Sequence, residues 1–594
     1  MALAACSAAS VVTTDSASTN QVSAGSEAVA VTVDTSPVSV NFSDEDLNPS
    51  VDESATVITL NGDSISVEGV GAAVNGSVVT VTEAGTYSVS GTLNNGQIAV
   101  DAQDGDVTLV LNGVNITNSS SAAIYVRSAD KVALTLADGT LNVVSDGTPY
   151  VFETAEADEP SAAIFSKDDL TINGTGSLTV NGNYKNGIAT KDDLKIVSGV
   201  IMVNAVNDAI RGRNYIAVKD GTIIVNADGD GLQSNNDEDA AKGYVLIEGG
   251  TLNITSGMDG IQAETRLTIN AGNINIVSGG GSAVNYNLDY SAKGLKAGAD
   301  VTIVGGAINI DAADDGINSN NSITINGGNL TISSGDDGIH ADTALTFNGG
   351  DVNIIRSYEG LESTTITING GNTSITSDDD GVNGSDGSSS GMQPGRGMFE
   401  SGNAHLYING GYLYVDARGD GMDINGPIDM TGGTVIVNGP TENMNGALDY
   451  GNAFNMTGGY LLAVGSSGMA QAPSASSTQY AVMYNFESMQ AAGTMIHIQT
   501  ADGREVLTFA PTKSFQSVVL SLPELTNGAT YVVYAGGSSS GISVDGLYSG
   551  GAYSAGTQMA SFTISSIVTT TGAVGGFGPG GFGPGGGGPG GPRP

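Results

Sequence analysis

The 594-residue chain carries 62 acidic and 19 basic side chains, a net charge of −43, with 88 glycines, no tryptophan and one cysteine. A surface of that sign repels nucleic-acid phosphates and anionic lipid headgroups, and a single thiol excludes an intramolecular disulfide framework. Such acids either keep a polar chain soluble or gather divalent cations, and their positions in the sequence separate the two.

The first segment, Leu3-Ala4-Ala5-Cys6, has the form of a bacterial lipobox, in which the Cys6 sulfur takes a diacylglycerol. It predicts an extracytoplasmic, cell-surface lipoprotein whose signal peptide is truncated here and whose membrane contact is the lipid anchor alone. Residues 1–50 are accordingly expected to be lipobox remnant and flexible tether, since the Ser/Thr/Ala/Val-rich stretch after Cys6 has no period. No run of about 18 apolar residues follows, so no transmembrane helix is expected.

Residues 51–470 are expected to form one solenoid. The stretch to about 150 is strand-rich but off-period, as a cap with irregular first coils would be. Then an acid-Gly-apolar corner recurs. It runs Asn186-Gly187-Ile188, Asp208-Ala209-Ile210, Asp230-Gly231-Leu232, Asp259-Gly260-Ile261, Lys293-Gly294-Leu295 and Asp315-Gly316-Ile317. Asp337-Gly338-Ile339, Glu359-Gly360-Leu361, Asp380-Gly381-Val382 and Asp420-Gly421-Met422 complete it. The apolar residues are spaced 22, 22, 29, 34, 22, 22, 22, 21 and 40, so the period is 22 with insertions. Within one period Ile323, Ile325, Leu330 and Ile332 alternate with small polar residues, putting one face of short strands inside. Gly-Gly and Asp-Gly pairs are expected to supply positive-φ corners. Propeller blades need about 40 residues or more per repeat, and the nonapeptide calcium roll needs a unit absent here. The fold class predicted is therefore all-β, a right-handed parallel β-helix. Residues 471–570 read as a small antiparallel β unit, and the Gly/Pro-rich 571–594 as a disordered tail.

Stacking places equivalent corner residues about 4.8 Å apart. Two carboxylates at that distance repel by roughly 1 kcal/mol in bulk water and about 3–4 kcal/mol at an effective dielectric of 20. Acids concentrated at one corner of a repeat point to Ca²⁺, which takes carboxylate, carbonyl and water oxygens. The metal ligands predicted are Asp230, Asp259, Asp314, Asp315, Asp336, Asp337, Glu359, Asp378, Asp380 and Asp420. The other outcome is a solvated ladder relieved by monovalent ions. His340, His405 and His497 are scattered, which disfavours transition metals.

The run Ala162-Ala163-Ile164-Phe165-Ser166-Lys167-Asp168-Asp169-Leu170-Thr171-Ile172-Asn173-Gly174 resembles the signature of a bacterial family of carbohydrate-binding right-handed β-helices. The echo Ile188–Ile196, Val437-Asn438-Gly439-Pro440-Thr441, Gly446-Ala447-Leu448-Asp449-Tyr450 and Gly465–Pro473 are similar too. The resemblance runs from about 55 to 560, departing in the 277–292 and 382–402 insertions. It implies a calcium-loaded β-helix that binds acidic plant polysaccharide such as polygalacturonate, with a fold shared with calcium-dependent pectate lyases and no established catalysis.

Three functions remain open on this reading. A binding protein would use calcium bridges together with Arg211, Arg213, Lys293, Lys296 and Tyr215, with Tyr286, Tyr290 and Tyr358 as further stacking rings. A calcium-dependent lyase would need a base, for which Lys293 is the suspect, although a cation there also neutralises Asp259 and Asp315. A structural stalk or adhesin would stack its coils end to end in self-association.

Overall fold

A computed structural model describes residues 38–47, 55–152, 154, 156–284, 290–385, 402–554 and 556–573. The strand pattern of one coil explains the rest. Ile317–Ser319, Ser322–Ile325 and Asn329–Ser334 follow one another around a turn of the solenoid. Each pairs in parallel with its counterpart one coil later, as Ile317 with Ile339, Ile323 with Leu345 and Leu330 with Val352. Repetition builds three parallel sheets, numbered here from the acidic corner. The coils form a right-handed parallel β-helix, the hand that parallel crossovers take. Ile317, Ile323, Ile325, Leu330 and Ile332 are all fully buried, so alternation alone gives each coil an aliphatic interior.

The two kinds of glycine corner have different causes. The second glycine of the Gly-Gly pairs is left-handed, as at Gly328 with φ 96°. The Asp-Gly corners are not, contrary to the expectation of positive φ there. At Gly338 a Cβ would stand 2.6 Å from the Gly360 carbonyl oxygen and 2.8 Å from the Ile354 side chain, so glycine is required by close approach between coils. Outside the corners, asparagine amides stack as external staples, Asn348 donating to Asn326 at 2.8 Å and Asn369 to Asn348 at 2.9 Å.

Two antiparallel hairpins, Thr56–Gly62 with Ile65–Glu68 and Ala72–Asn75 with Val78–Val81, lead into the first coils and cover their edge. Upstream of them, residues 38–47 depart from the tether expectation, which extended to residue 50. Val38, Val40 and Phe42 pack on Tyr215, Ala217, Leu246 and Tyr244 on the outer face of the second sheet. At the end of this strap, Asp46 is fully buried against Lys131 at 3.0 Å and Lys195 at 3.1 Å, and accepts from Thr171 Oγ1 at 3.0 Å. The physical reason is that apolar residues alternate along 38–42 and a buried charge finds two counterions.

At the other end the third-sheet strand Tyr460–Gly465 pairs antiparallel with Phe515–Ser521, which pairs in turn with Ala481–Gln490. A six-stranded antiparallel sheet completes this C-terminal unit. Its Phe486, Phe509, Phe515 and Tyr531 pack with Tyr414, Ile436 and Leu462 of the solenoid. Among the described residues no helix is long and apolar enough to cross a membrane. Cys6, Tyr286 and residues 574–594 lie outside the described residues.

Candidate functional site

The acidic corners have a structural half and an open half. One carboxylate oxygen of a corner residue accepts the backbone N–H of the corner residue one coil on: Asp208 from Asp230 at 3.1 Å, Asp230 from Asp259 at 2.9 Å and Asp259 from Lys293 at 2.8 Å. Asp315 accepts likewise from Asp337 at 3.1 Å, and Asp380 from Asp420 at 2.6 Å. The side chain is therefore held in one orientation, and its second oxygen faces the first-sheet residue three positions on or, at Asp259, the residue three after the next corner.

The identity of that facing residue changes along the solenoid. Asp208 faces Arg211 at 4.0 Å, Asp230 accepts from Gln233 at 2.5 Å, and Asp259 pairs with Lys296 at 3.0 Å. Asp315 is met by Lys293 at 2.6 Å and Asn318 at 3.0 Å, and Asp337 by His340 at 3.2 Å. Beyond this coil compensation stops. The register Glu362, Asn383, Asp423, Asp449 places acids and one amide where cations and amides stood before.

Carboxylates gather there. Asp380, Asp420 and Asp423 offer oxygens within 4.8 Å of one another, as do Asp337, Glu359 and Glu362, although in the second group His340 lies 3.2 Å from Asp337 and 3.5 Å from Glu362. Burial, followed by the charge of Asp380, pushes the Asp420 carboxyl up to about 8. Burial and the neighbouring Asp380 and Asp449 push Asp423 up to about 7, and Asp380 and Glu359 reach about 7 through burial and adjoining acids. The amide oxygen of Asn383, in register between Glu362 and Asp423, is buried and accepts no hydrogen bond. These oxygens suit a hard divalent cation, which prefers carboxylate and carbonyl ligands. A third group, Asp314, Asp315 and Asp336, already has the Lys293 ammonium within 3.0 Å of Asp314. His340 belongs to a group with Asp315 and Asp337; burial lowers its pKa, but Asp337, Glu362 and Asp315 outweigh this and raise it to about 9. A further group, Asp169, Asp192 and Asp193, lies at a different edge, between the first and second sheets.

Of the residues predicted as metal ligands, Asp314, Asp315, Asp336, Asp337, Glu359, Asp380 and Asp420 fall in these groups. Asp230, Asp259 and Asp378 do not. Asp230 is taken by Gln233, Asp259 by Lys296 and Ser291, and Asp378 by Arg418 at 2.9 Å. Sequence reasoning missed Glu362, Asp423 and Asn383, whose signal is the position three after each corner. Lys293 is held by Asp314 and Asp315: burial lowers its pKa, but both carboxylates raise it well above the ordinary lysine value. Tyr215 is no sugar platform in this structure, because it is buried, stacks on Tyr244 at 4.9 Å and lies beneath the strap.

Arg211 and Arg213 instead line a groove of about 880 Å³ on the first sheet. Its floor is the strands Asn186–Thr190 and Ile210–Gly212, and its walls come from insertions near 158–161 and 235–238. The outward ladder Phe165, Ala189, Arg211 explains the recess: a methyl group stands where a large side chain precedes and follows it. Tyr184, Lys185, Lys191, Asn207 and Asn235 complete the lining. Tyr184 is braced by Tyr150, stacked at 4.0 Å.

Residues 75–338 match the model of a family described as carbohydrate-binding domain-containing protein. A carbohydrate-binding domain-containing protein of Acetivibrio thermocellus is 48% identical over 150 residues, 25% of this chain and 52% of the relative. The chain thus spans about half the length of that relative. Among solved structures, the polysaccharide lyase-like protein from C. thermocellum, as a gadolinium derivative, aligns at 36% identity with a TM-score of 0.36. That alignment covers 45% of this chain and 96% of the other.

Proposed function

We propose that this protein is a cell-surface carbohydrate-binding β-helix that captures acidic polysaccharide of the polygalacturonate type through Ca²⁺ held at its acidic corners. The observation that carries the proposal is the uncompensated carboxylate group Asp380, Asp420 and Asp423, with Asn383 beside it, on one open face. Ca²⁺ there would supply positive charge to which uronate carboxylates can ligate, so a strongly acidic protein can hold a polyanion. The corner residues contribute orientation: the Asp420 N–H fixes one oxygen of Asp380, whose carboxylate clusters with Asp420 and Asp423. The family match over 75–338 supports glycan as the ligand class.

Binding without cleavage is the reading favoured over a lyase. The suspected base, Lys293, is held by two carboxylates at 2.6 and 3.0 Å, which favour its protonated form and oppose a role as base. Affinity electrophoresis through polygalacturonate, with Ca²⁺ and with chelator, tests the proposal. Retardation that Ca²⁺ strengthens, with no unsaturated product detected by ultraviolet absorbance, is expected. Equal mobility in gels with and without the polysaccharide would overturn it, and sustained product formation would convert it into a lyase.

A further inference from the structure

We propose that the groove over the first sheet is a second glycan subsite, one that takes a hexuronate without a metal ion, its ring on Tyr184 and its carboxylate on Lys185 and Arg211. The inference rests on the reading of the chain as a glycan binder and adds a site and a mode of binding to it. Three observations carry it.

The first is shape and facing. The groove opens on the same sheet that bears the carboxylate groups, several coils away, so a linear polysaccharide lying along that face would meet both. Ala189 opens the recess between Phe165 and Arg211 by one coil, about 4.8 Å. The second is charge. Lys191 is paired with Glu159 at 2.7 Å and Arg213 with Glu238 at 2.7 Å, so those acids of the groove are already matched. Lys185 makes no ion pair among the described residues and lies 5.4 Å from the Tyr184 ring centre, while the contact of Arg211 with Asp208 is long, at 4.0 Å. Asp158 and Asp237 also line the groove, which balances its four basic side chains overall, so Lys185 and Arg211 beside the braced ring are the cations that a hexuronate carboxylate would engage. The third is an unmet acceptor. The amide oxygen of Asn235, on the groove wall, is buried and receives no hydrogen bond. Sugar hydroxyls are donors, and a buried acceptor without one costs free energy until a ligand supplies it.

The test is calorimetric titration of the full chain with a galacturonate trisaccharide in chelator, at a temperature where its circular dichroism is that of the folded protein. A neutral galactose trisaccharide serves as the second ligand. Binding of the acidic trisaccharide is expected, with a loss of about tenfold or more in Arg211→Gln and in Lys185→Gln, the scale of one charge-assisted hydrogen bond. Lys185 is exposed, so its variant cannot fail by misfolding. Glu68→Gln, an exposed change in the N-terminal hairpin outside both sites, is expected to bind as wild type in chelator. Binding that vanishes in chelator and returns with Ca²⁺ would overturn this subsite and leave the corner proposal standing. Binding in chelator that Ca²⁺ does not strengthen would uphold the subsite and contradict the corners. Equal affinity for the neutral trisaccharide would overturn the assignment of a hexuronate.

Discussion

Replacing Asp46 by alanine should unfasten the strap and leave the solenoid folded. The Asp46 carboxylate is fully buried between Lys131 and Lys195, whose side chains are 19% and 16% exposed, and it also accepts the Ser43 N–H at 2.9 Å. Breaking a buried pair by deleting one partner costs about 3–5 kcal/mol, because the remaining charge is left without compensation. That is about two to four orders of magnitude in an opening equilibrium. The cost falls on residues 38–47, which touch only the outer face of the second sheet, whereas the coil interior is untouched. Hydrogen exchange at Leu47, whose amide bonds the Ser43 carbonyl, should therefore accelerate by that factor, while the Ile323 and Ile332 amides keep their protection. The pH dependence has a definite sign. Burial alone raises the Asp46 pKa, but the bonds from Lys131, Ser43 and Lys195 outweigh it and hold the carboxyl well below its ordinary value. A lowered carboxyl stabilises above its unfolded value, near 3.8, and loses that contribution only as pH falls toward its own. The strap should thus stay fastened at pH 4.5. An acceleration below tenfold at Leu47 would mean that Val38, Val40 and Phe42 hold the strap unaided, and a parallel loss at Ile332 would mean that the strap supports the whole coil stack.

Further outcomes follow from the corners. In chelator, melting temperature should fall between pH 5 and pH 8. The folded carboxyls of Asp380, Asp420, Asp423 and Glu359, raised to about 7–8, bind protons that the unfolded chain has already released, and that stability is lost as pH rises. Saturating Ca²⁺ should flatten the decline; a melting temperature that rises with pH would contradict the raised values. Asp230→Asn should be as stable as wild type or more so at pH 8, since an amide oxygen can still accept the Asp259 N–H. Asp230→Ala should lose about 1–3 kcal/mol in denaturant melts by orphaning that donor. Gly338→Ala should destabilise by several degrees in thermal melts, because its Cβ would strike the Gly360 carbonyl.

The solenoid was legible because one coil is written ten times. Alternation at Ile323, Ile325, Leu330 and Ile332 marks the interior, and the acid-Gly corner marks the register. The carboxylate groups were legible in part. Corner residues such as Asp380 and Asp420 stand out by repetition, but Asp423 and Glu362 belong to the outward strand position, where side chains change from coil to coil. Tyr215 illustrates the opposite failure. Its outward place on a strand suggests exposure, yet a segment about 175 residues upstream covers it, and 38–42 is too short to show a period. The groove escaped for a related reason. Its walls are insertions that interrupt the repeat, and a repeat-based reading treats such segments as loops. Arg211 and Arg213 were found by charge, whereas Tyr184 and Lys185 sit in the turn before the Asn186 corner and carry no repeating signal.

The most direct test of the calcium-loaded ladder is calorimetric titration of Ca²⁺ into chelator-stripped protein at pH 7, in two buffers of different ionisation enthalpy. Dissociation constants of roughly 10⁻⁴–10⁻³ M are predicted. Proton release should accompany binding, since Asp420 and Asp423, raised to about 8 and about 7, must ionise to ligate, and Asp423→Asn should remove one site. Heat that is independent of buffer and unchanged in Asp423→Asn, or no heat at all, would contradict a metal-bearing corner and leave the acids as a solvated ladder.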